Sequence, residues 1–151
     1  TLGAEVLVAI GDNSLRVRLA ETAASFGLNP ATLIGANAHI SPTARLGNGT
    51  VVMNGAVINA DAAISDLVIV NTGATVDHDC SIGRGAHVGP GSNLAGGVSV
   101  GADSFIGAGS VIAPGIRIGA GAIVGAGSTI VRDVAAGDVV FGERARSRTV
   151  S

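Results

Sequence analysis

An aliphatic residue returns at every sixth position from Ile40 to Ile130: Ile40, Leu46, Val52, Ile58, Ile64, Val70, Val76, Ile82, Val88, Leu94, Val100, Ile106, Ile112, Ile118, Val124, Ile130. All sixteen are Ile, Leu or Val, and no insertion breaks the count. A hexapeptide period of this regularity specifies a parallel β-helix, a solenoid of short strands in which each coil stacks on the last. Four residues after each aliphatic position comes a small or branched residue, as at Ala44, Thr50, Ala56, Ala62, Val68, Ala74, Cys80, Ala86 and Ser92. Three residues after it comes Gly, or Asp at Asp61, Asp79, Asp103 and Asp133, with Thr43 and Leu67 as departures. Gly, and less readily Asp, accepts the positive φ of a tight turn. Pro90-Gly91 and Pro114-Gly115 are the central pairs of type II turns. Each hexad is therefore a strand and a corner, and three hexads close an eighteen-residue triangular coil.

Outside the repeat, Glu5 to Ile10 reads as a buried strand and Ser14 to Phe26 as a helix capped by Asp12 or Asn13 and closed by Gly27. Thr32 to Ile34 reads as a second short strand. This strand–turn–helix–strand piece is too small to cover two sheet faces. Either it packs on the solenoid or on a partner, or a preceding βαβ segment is absent from this chain. The expected organisation is 1–36 as a partial α/β unit, 37–134 as β-helix, and 135–151 as a C-terminal strand, about Val139 to Phe141, with a basic tail. Arg144, Arg146 and Arg148 in that tail suit an anionic ligand. The Gly11-Asp12-Asn13 turn can offer backbone N–H groups to a phosphate or sugar, with an ordinary capped turn as the alternative.

A net charge of -2 argues against a general nucleic-acid binder, and three Phe with no Trp or Tyr leave no platform for stacking bases. No apolar run reaches the roughly 18 residues of a membrane span, no signal peptide is visible, and Thr1 stands where Met would begin a chain. The single cysteine, Cys80, excludes an internal disulfide and falls in the small inward column, as a structural thiol would. The expected compartment is cytoplasmic.

On a repetitive surface the deviations carry the chemistry. His78 and Asp79 occupy a corner where other coils have pairs such as Gly96-Gly97. An imidazole flanked by Asp77 and Asp79 suits a general base, because a carboxylate fixes its tautomer and stabilises the imidazolium. Gly96 stacks one coil beyond His78, where a bare N–H can receive a developing oxyanion. The residues before the aliphatic positions of one face are Val51, Ile69, His87, Phe105 and Ile123. That apolar column should be covered by another subunit or a ligand. His78 and His87 are nine residues apart, half a coil, so a site using both lies between subunits. His39 falls in a different column and carries no assigned role.

The segments Val51-Val52-Met53-Asn54-Gly55, Asn71-Thr72-Gly73-Ala74-Thr75-Val76-Asp77-His78-Asp79-Cys80 and Leu94-Ala95-Gly96-Gly97-Val98 resemble the sialic acid O-acetyltransferase group, with its bacillosamine and perosamine N-acetyltransferases. That group lies within the left-handed β-helix hexapeptide acyltransferases, and the left hand follows from the resemblance alone, since the crossover rule favours right-handed coils. The resemblance implies His78 as general base with Asp79 raising its basicity. It implies His87, Gly96, Ala108 and Ala126 as acetyl-CoA contacts, Gly11 and Asn71 as acceptor contacts, acetyl-CoA as cosubstrate without a metal, a nucleotide-linked sugar as acceptor, and a homotrimer with sites between subunits. Two departures stand out: the upstream Gly-rich half of a nucleotide-sugar unit is missing, and Arg144 stands where the group has Pro. The competing readings are a non-catalytic scaffold or truncated enzyme, and a carbonic-anhydrase-like zinc site, for which His39, His78 and His87 fall in three different columns.

Overall fold

The computed structural model describes residues 4–142. Two-residue strands stack into three parallel sheets, the walls of a triangular prism. One wall carries Leu33–Ile34, Val51–Val52, Ile69–Val70, His87–Val88, Phe105–Ile106, Ile123–Val124 and Val139–Val140; it is called here the His87 face. The second, the Asn93 face, runs from His39–Ile40 to Thr129–Ile130. The third, the Ser81 face, runs from Arg45–Leu46 to Arg117–Ile118. Pairing partners lie eighteen residues apart, as in His87 with Phe105 and Thr75 with Asn93. Solenoid pairing thus includes Leu33–Ile34 and Val139–Val140, on either side of the 37–134 span read from the repeat.

The sixfold aliphatic residues fill the prism. Val52, Ile58, Val70, Val76, Ile82, Val88, Ile106 and Ile112 are completely buried, each contributing about 1.5–3 kcal/mol of transfer free energy. The second inward column is small because the corners leave it little room. At several of its polar positions the side chain reaches the carbonyl fifteen residues on, whereas Ser128 Oγ turns back to the Gly125 carbonyl at 2.6 Å. Ser92 Oγ donates to Gly107, Ser104 Oγ to Gly119 and Ser110 Oγ to Gly125 at 2.7–3.1 Å. Cys80 Sγ does the same to Ala95 at 3.2 Å. Burial raises its pKa, so it is a packed thiol rather than a nucleophile.

The corners turn through positive φ at the expected glycines, Gly109 at 67° among them, and at Asp61, Asp79 and Asp103. Asp133 is not left-handed, contrary to the repeat pattern. There the eighteen-residue count breaks, since Val134 bridges Ile118 sixteen residues away, and Asp133 Oδ1 instead accepts from the Arg117 N–H at 2.9 Å. Leu67 does adopt φ 60° despite its branched side chain. That conformation costs about 1–2 kcal/mol, and burial of Leu67 against Val17 and Ala20 offsets it.

Those partners belong to the N-terminal unit, which packs on the solenoid. Strand β1 (Glu5–Val6) pairs in parallel with β2 (Asn29–Pro30). The apolar run to Ile10 does not continue the strand, because β2 is too short to pair with it; Leu7 to Ile10 are irregular. Helix α1 (Asn13–Ser25) starts at the Asp12 N-cap, whose carboxylate accepts from the Leu15 N–H at 2.7 Å, and ends before Gly27, at φ 78°. The basic tail with Arg144, Arg146 and Arg148 lies outside the described residues.

Candidate active site

The candidate residues gather in two places. At the corner joining the Asn93 and Ser81 faces, His78 Nδ1 donates to Asp79 Oδ2 at 2.8 Å. This fixes the neutral tautomer with Nε2 unprotonated. Asp77 Oδ1 accepts from the His78 backbone N–H at 2.8 Å and from Asn59 Nδ2 at 2.9 Å, which clamps the corner. The Asp79 hydrogen bond, then the Asp77 charge, raise the His78 pKa above its ordinary value. The ring is well exposed and its Nε2 edge lies over Gly96: a Cβ placed on that glycine would come within 2.5 Å of Nε2 and 2.6 Å of Cε1. Gly96 is therefore required by the ring above it, apart from any use of its N–H. Gly97 N–H donates to the His78 carbonyl at 2.9 Å, so base and glycine corner are tied in consecutive coils.

The second place is a cavity of about 400 Å3 on the His87 face, roofed by Leu7 to Gly11 and floored by Val51, Ile69, Asn71 and His87. The apolar column is thus covered in part by the chain's own N-terminal segment; Ile123 remains exposed. His87 is 8% exposed and stands edge-on to Phe105, centroids 5.1 Å apart at 86°. Asn71 Oδ1 accepts from the Thr72 N–H at 2.7 Å, so its Nδ2 donates to His87 Nε2 at 3.0 Å. The imidazole proton then sits on Nδ1, which is buried without a hydrogen bond. Burial, then the Arg16 charge, hold the His87 pKa below its ordinary value, against an opposing pull from the Gly11 backbone. His87 is a neutral group in an apolar cavity, suited to a polar but uncharged contact.

Gly11 lines this cavity. The Asp12 carboxylate occupies the start of α1, accepting from Leu15 and Ser14. A carboxylate there competes with phosphate, so the Gly11-Asp12-Asn13 turn is a capped turn whose glycine edges the cavity. Ala108 and Ala126 lie in neither cluster. They stack at the exposed corner between the His87 and Asn93 faces, where the Gly127 N–H donates to the Ala108 carbonyl at 2.8 Å. Within one chain, His78, Asp79 and Gly96 meet, and Gly11, Asn71 and His87 meet, on different sides of the prism. Among the described residues no group of three His, Cys, Asp or Glu side chains could hold a metal ion.

One residue escaped the sequence reading. Arg16, on α1, is 1% exposed and reaches under the cavity's roof. Its signal was present: it shares a helix face with Ala20, four residues on, so a charge sat in the buried stripe.

A parallel β-helix of hexapeptide coils with a carboxylate-tuned histidine at a corner defines a class, the bacterial hexapeptide transferases. Two descriptions match the sequence: bacterial transferase hexapeptide (six repeats) over residues 97–132, and hexapeptide repeat of succinyl-transferase over 32–60. No curated protein sequence matches the chain significantly. Solved structures do. PerB from Caulobacter crescentus, in complex with CoA and GDP-perosamine, is 50% identical over 92% of this chain and 67% of its own, with a TM-score of 0.91. The acetyltransferase domain of PglB from Neisseria gonorrhoeae, in complex with acetyl coenzyme A, is 41% identical over 91% and 67%, with a TM-score of 0.90. WeeI from Acinetobacter baumannii is 27% identical over 97% and 71%, with a TM-score of 0.91. The chain belongs to the left-handed β-helix hexapeptide acyltransferases, in the group that contains the perosamine N-acetyltransferase and the PglB acetyltransferase domain.

Proposed function

We propose that the chain transfers the acetyl group of acetyl-CoA to the amino group of a nucleotide-linked sugar, with His78 as general base. The observation that carries this reading is the His78–Asp79 hydrogen bond of 2.8 Å, with the ring's Nε2 edge over Gly96. Nδ1 is engaged, so Nε2 is the nitrogen that takes the acceptor proton. As the amine attacks the thioester carbonyl, the proton passes to Nε2 and the tetrahedral oxyanion is received by the Gly96 N–H. Collapse breaks the carbon–sulfur bond, and the imidazolium returns its proton to the leaving thiolate. Asp79 stabilises the imidazolium between these steps.

The site is completed between subunits of a homotrimer. Supporting this, His78 and His87 sit on different sides of the prism, and Ile123 on the His87 face is left exposed. Gly11, Asn71 and His87 then form the acceptor-side cavity, with His87, Gly96, Ala108 and Ala126 along the acetyl-CoA path. In this reading 1–36 is the end of a nucleotide-sugar-binding unit, 37–134 the acyltransferase solenoid, and 135–151 a terminal strand and tail. Among the described residues no helix is long and apolar enough to cross a membrane, and the cytoplasm, where acetyl-CoA and nucleotide sugars are made, is the proposed compartment.

The test is thiol release from acetyl-CoA with GDP-perosamine as acceptor, since a 50%-identical relative is solved with that sugar. Acceptor-dependent thiol release that His78→Ala abolishes is the expected result. A folded protein that releases no thiol with this or any other nucleotide amino sugar would leave a scaffold.

A further inference from the structure

Arg16 is the largest fully buried side chain, at 1% exposure. Arginines are seldom buried this deeply without a carboxylate partner. Here every hydrogen-bond acceptor is a neutral oxygen. Nε donates to the Leu67 carbonyl at 3.0 Å. Nη1 donates to the Ile10 carbonyl at 3.0 Å and the Gly11 carbonyl at 3.4 Å. Nη2 donates to Asn13 Oδ1 at 2.9 Å and the Gly85 carbonyl at 2.6 Å. Asn13 in turn donates to the carbonyls of Asp103 and Ser104 at 3.0 Å. One guanidinium thus links the roof of the cavity to the corners at Leu67 and Gly85, and Asn13 adds the next corner.

We propose that Arg16 is a positioning residue for the acceptor cavity: its buried guanidinium anchors the Ile10–Gly11 edge to two solenoid corners and so sets the distance between Gly11 and His87. This rests on the reading of that cavity as the acceptor side of the site. The Ile10 and Gly11 carbonyls face the guanidinium, and a trans peptide directs its N–H opposite to its C=O. The Gly11 and Asp12 N–H groups are therefore turned away from Arg16, out of the clamp. The Arg16 charge is also the charged group that acts on His87, whose other neighbours, Asn71, Phe105 and the Gly11 backbone, are neutral. It adds to burial, the larger cause, in disfavouring the charged form of the ring.

The test compares Arg16→Lys and Arg16→Met with the parent and with Arg84→Met. Arg84 makes a further side-chain tie between α1 and the solenoid, to Glu21 at 2.9 Å, without touching the roof. Arg16→Met should raise the KM for GDP-perosamine about tenfold, the worth of roughly one lost hydrogen bond, with kcat and the acetyl-CoA KM within about twofold. Arg16→Lys should fall between. Arg84→Met should lower Tm and leave the acceptor KM alone. A folded Arg16→Met with parent KM, an Arg84→Met effect of equal size, or loss of folding in both Arg16 variants would overturn the positioning role. A parent inactive on GDP-perosamine would count against the proposed function instead. Imidazole 15N spectra then decide: His87 should titrate at higher pH in Arg16→Met than in the parent, and an identical titration would overturn the proposal.

Discussion

Gly96→Ala separates catalysis from folding more cleanly than removal of the base itself. Gly96 lies outside the left-handed region, so alanine suits its backbone. The new methyl would lie 2.5 Å from His78 Nε2 and 2.6 Å from Cε1. Ordinary contact between such atoms is about 3.5 Å, so the ring must retreat by about 1 Å. It can do so, because the His78 side chain is 60% exposed. Retreat carries Nε2 away from the acceptor and strains the Asp79 hydrogen bond. A displacement of about 1 Å costs on the order of 100-fold in rate. The expected result is a kcat about 100-fold below parent with an unchanged Tm, read by thiol release and by thermal unfolding of the same sample. Parent-like kcat in Gly96→Ala would show that Nε2 is not the reacting nitrogen, or that the ring adopts another pose during turnover.

His78→Ala should lower kcat by about 10²–10⁴-fold while the fold is kept, measured as single-turnover acetyl transfer. In Asp79→Asn the His78 pKa should fall, because its largest raising influence is removed. A general base works unprotonated, so activity is lost as pH drops through that pKa. The acid limb of kcat/KM should therefore move to lower pH, with a smaller loss of rate than in His78→Ala; an acid limb that stays in place would detach Asp79 from the base. Ile69→Asp should dissociate or unfold the proposed trimer, since it puts an unpaired charge on the half-buried floor of the His87-face cavity; a folded protein of unchanged mass by light scattering would remove that face from the proposed interface. Gly121→Val forces a β-branched residue to φ 67° in otherwise open space, and should cost about 1–3 kcal/mol of stability by denaturant titration with turnover retained at low temperature.

The solenoid was legible because its information is local and repeated. Sixteen aliphatic positions, the small column and the Gly or Asp corners each report the same coil. The His78–Asp79 corner was legible for the complementary reason: a titratable pair interrupts a column of turn residues. Residues whose role is set by distant chain were not. Arg16 meets Leu67 and Gly85 across separations of 51 and 69 residues, and no local period encodes that. The run from Glu5 to Ile10 looked like a strand because it is apolar, but an edge needs a partner, and β2 offers only Asn29–Pro30. Leu67 departs from the corner column for a reason the repeat does not carry: Val17 and Ala20, about fifty residues earlier, pack against it.

A stack of nearly identical coils poses an addressing problem during folding. Slide one part of the prism past the rest by eighteen residues, and aliphatic still meets aliphatic and corner still meets corner. The core alone barely tells such a dislocation from the native stack. Helix α1 does, because it grips three successive corners, and the first of them carries Leu67 where the other corners have Gly, Asp or Thr. Leu67 fills the hollow beside Val17 and Ala20, the Gly85 carbonyl receives Arg16, and the carbonyls of Asp103 and Ser104 receive Asn13. The N-terminal unit serves as an index mark on an otherwise uniform scale, and it gives the coils between Leu67 and Ser104, His78, His87 and Gly96 included, a fixed count from the chain's start.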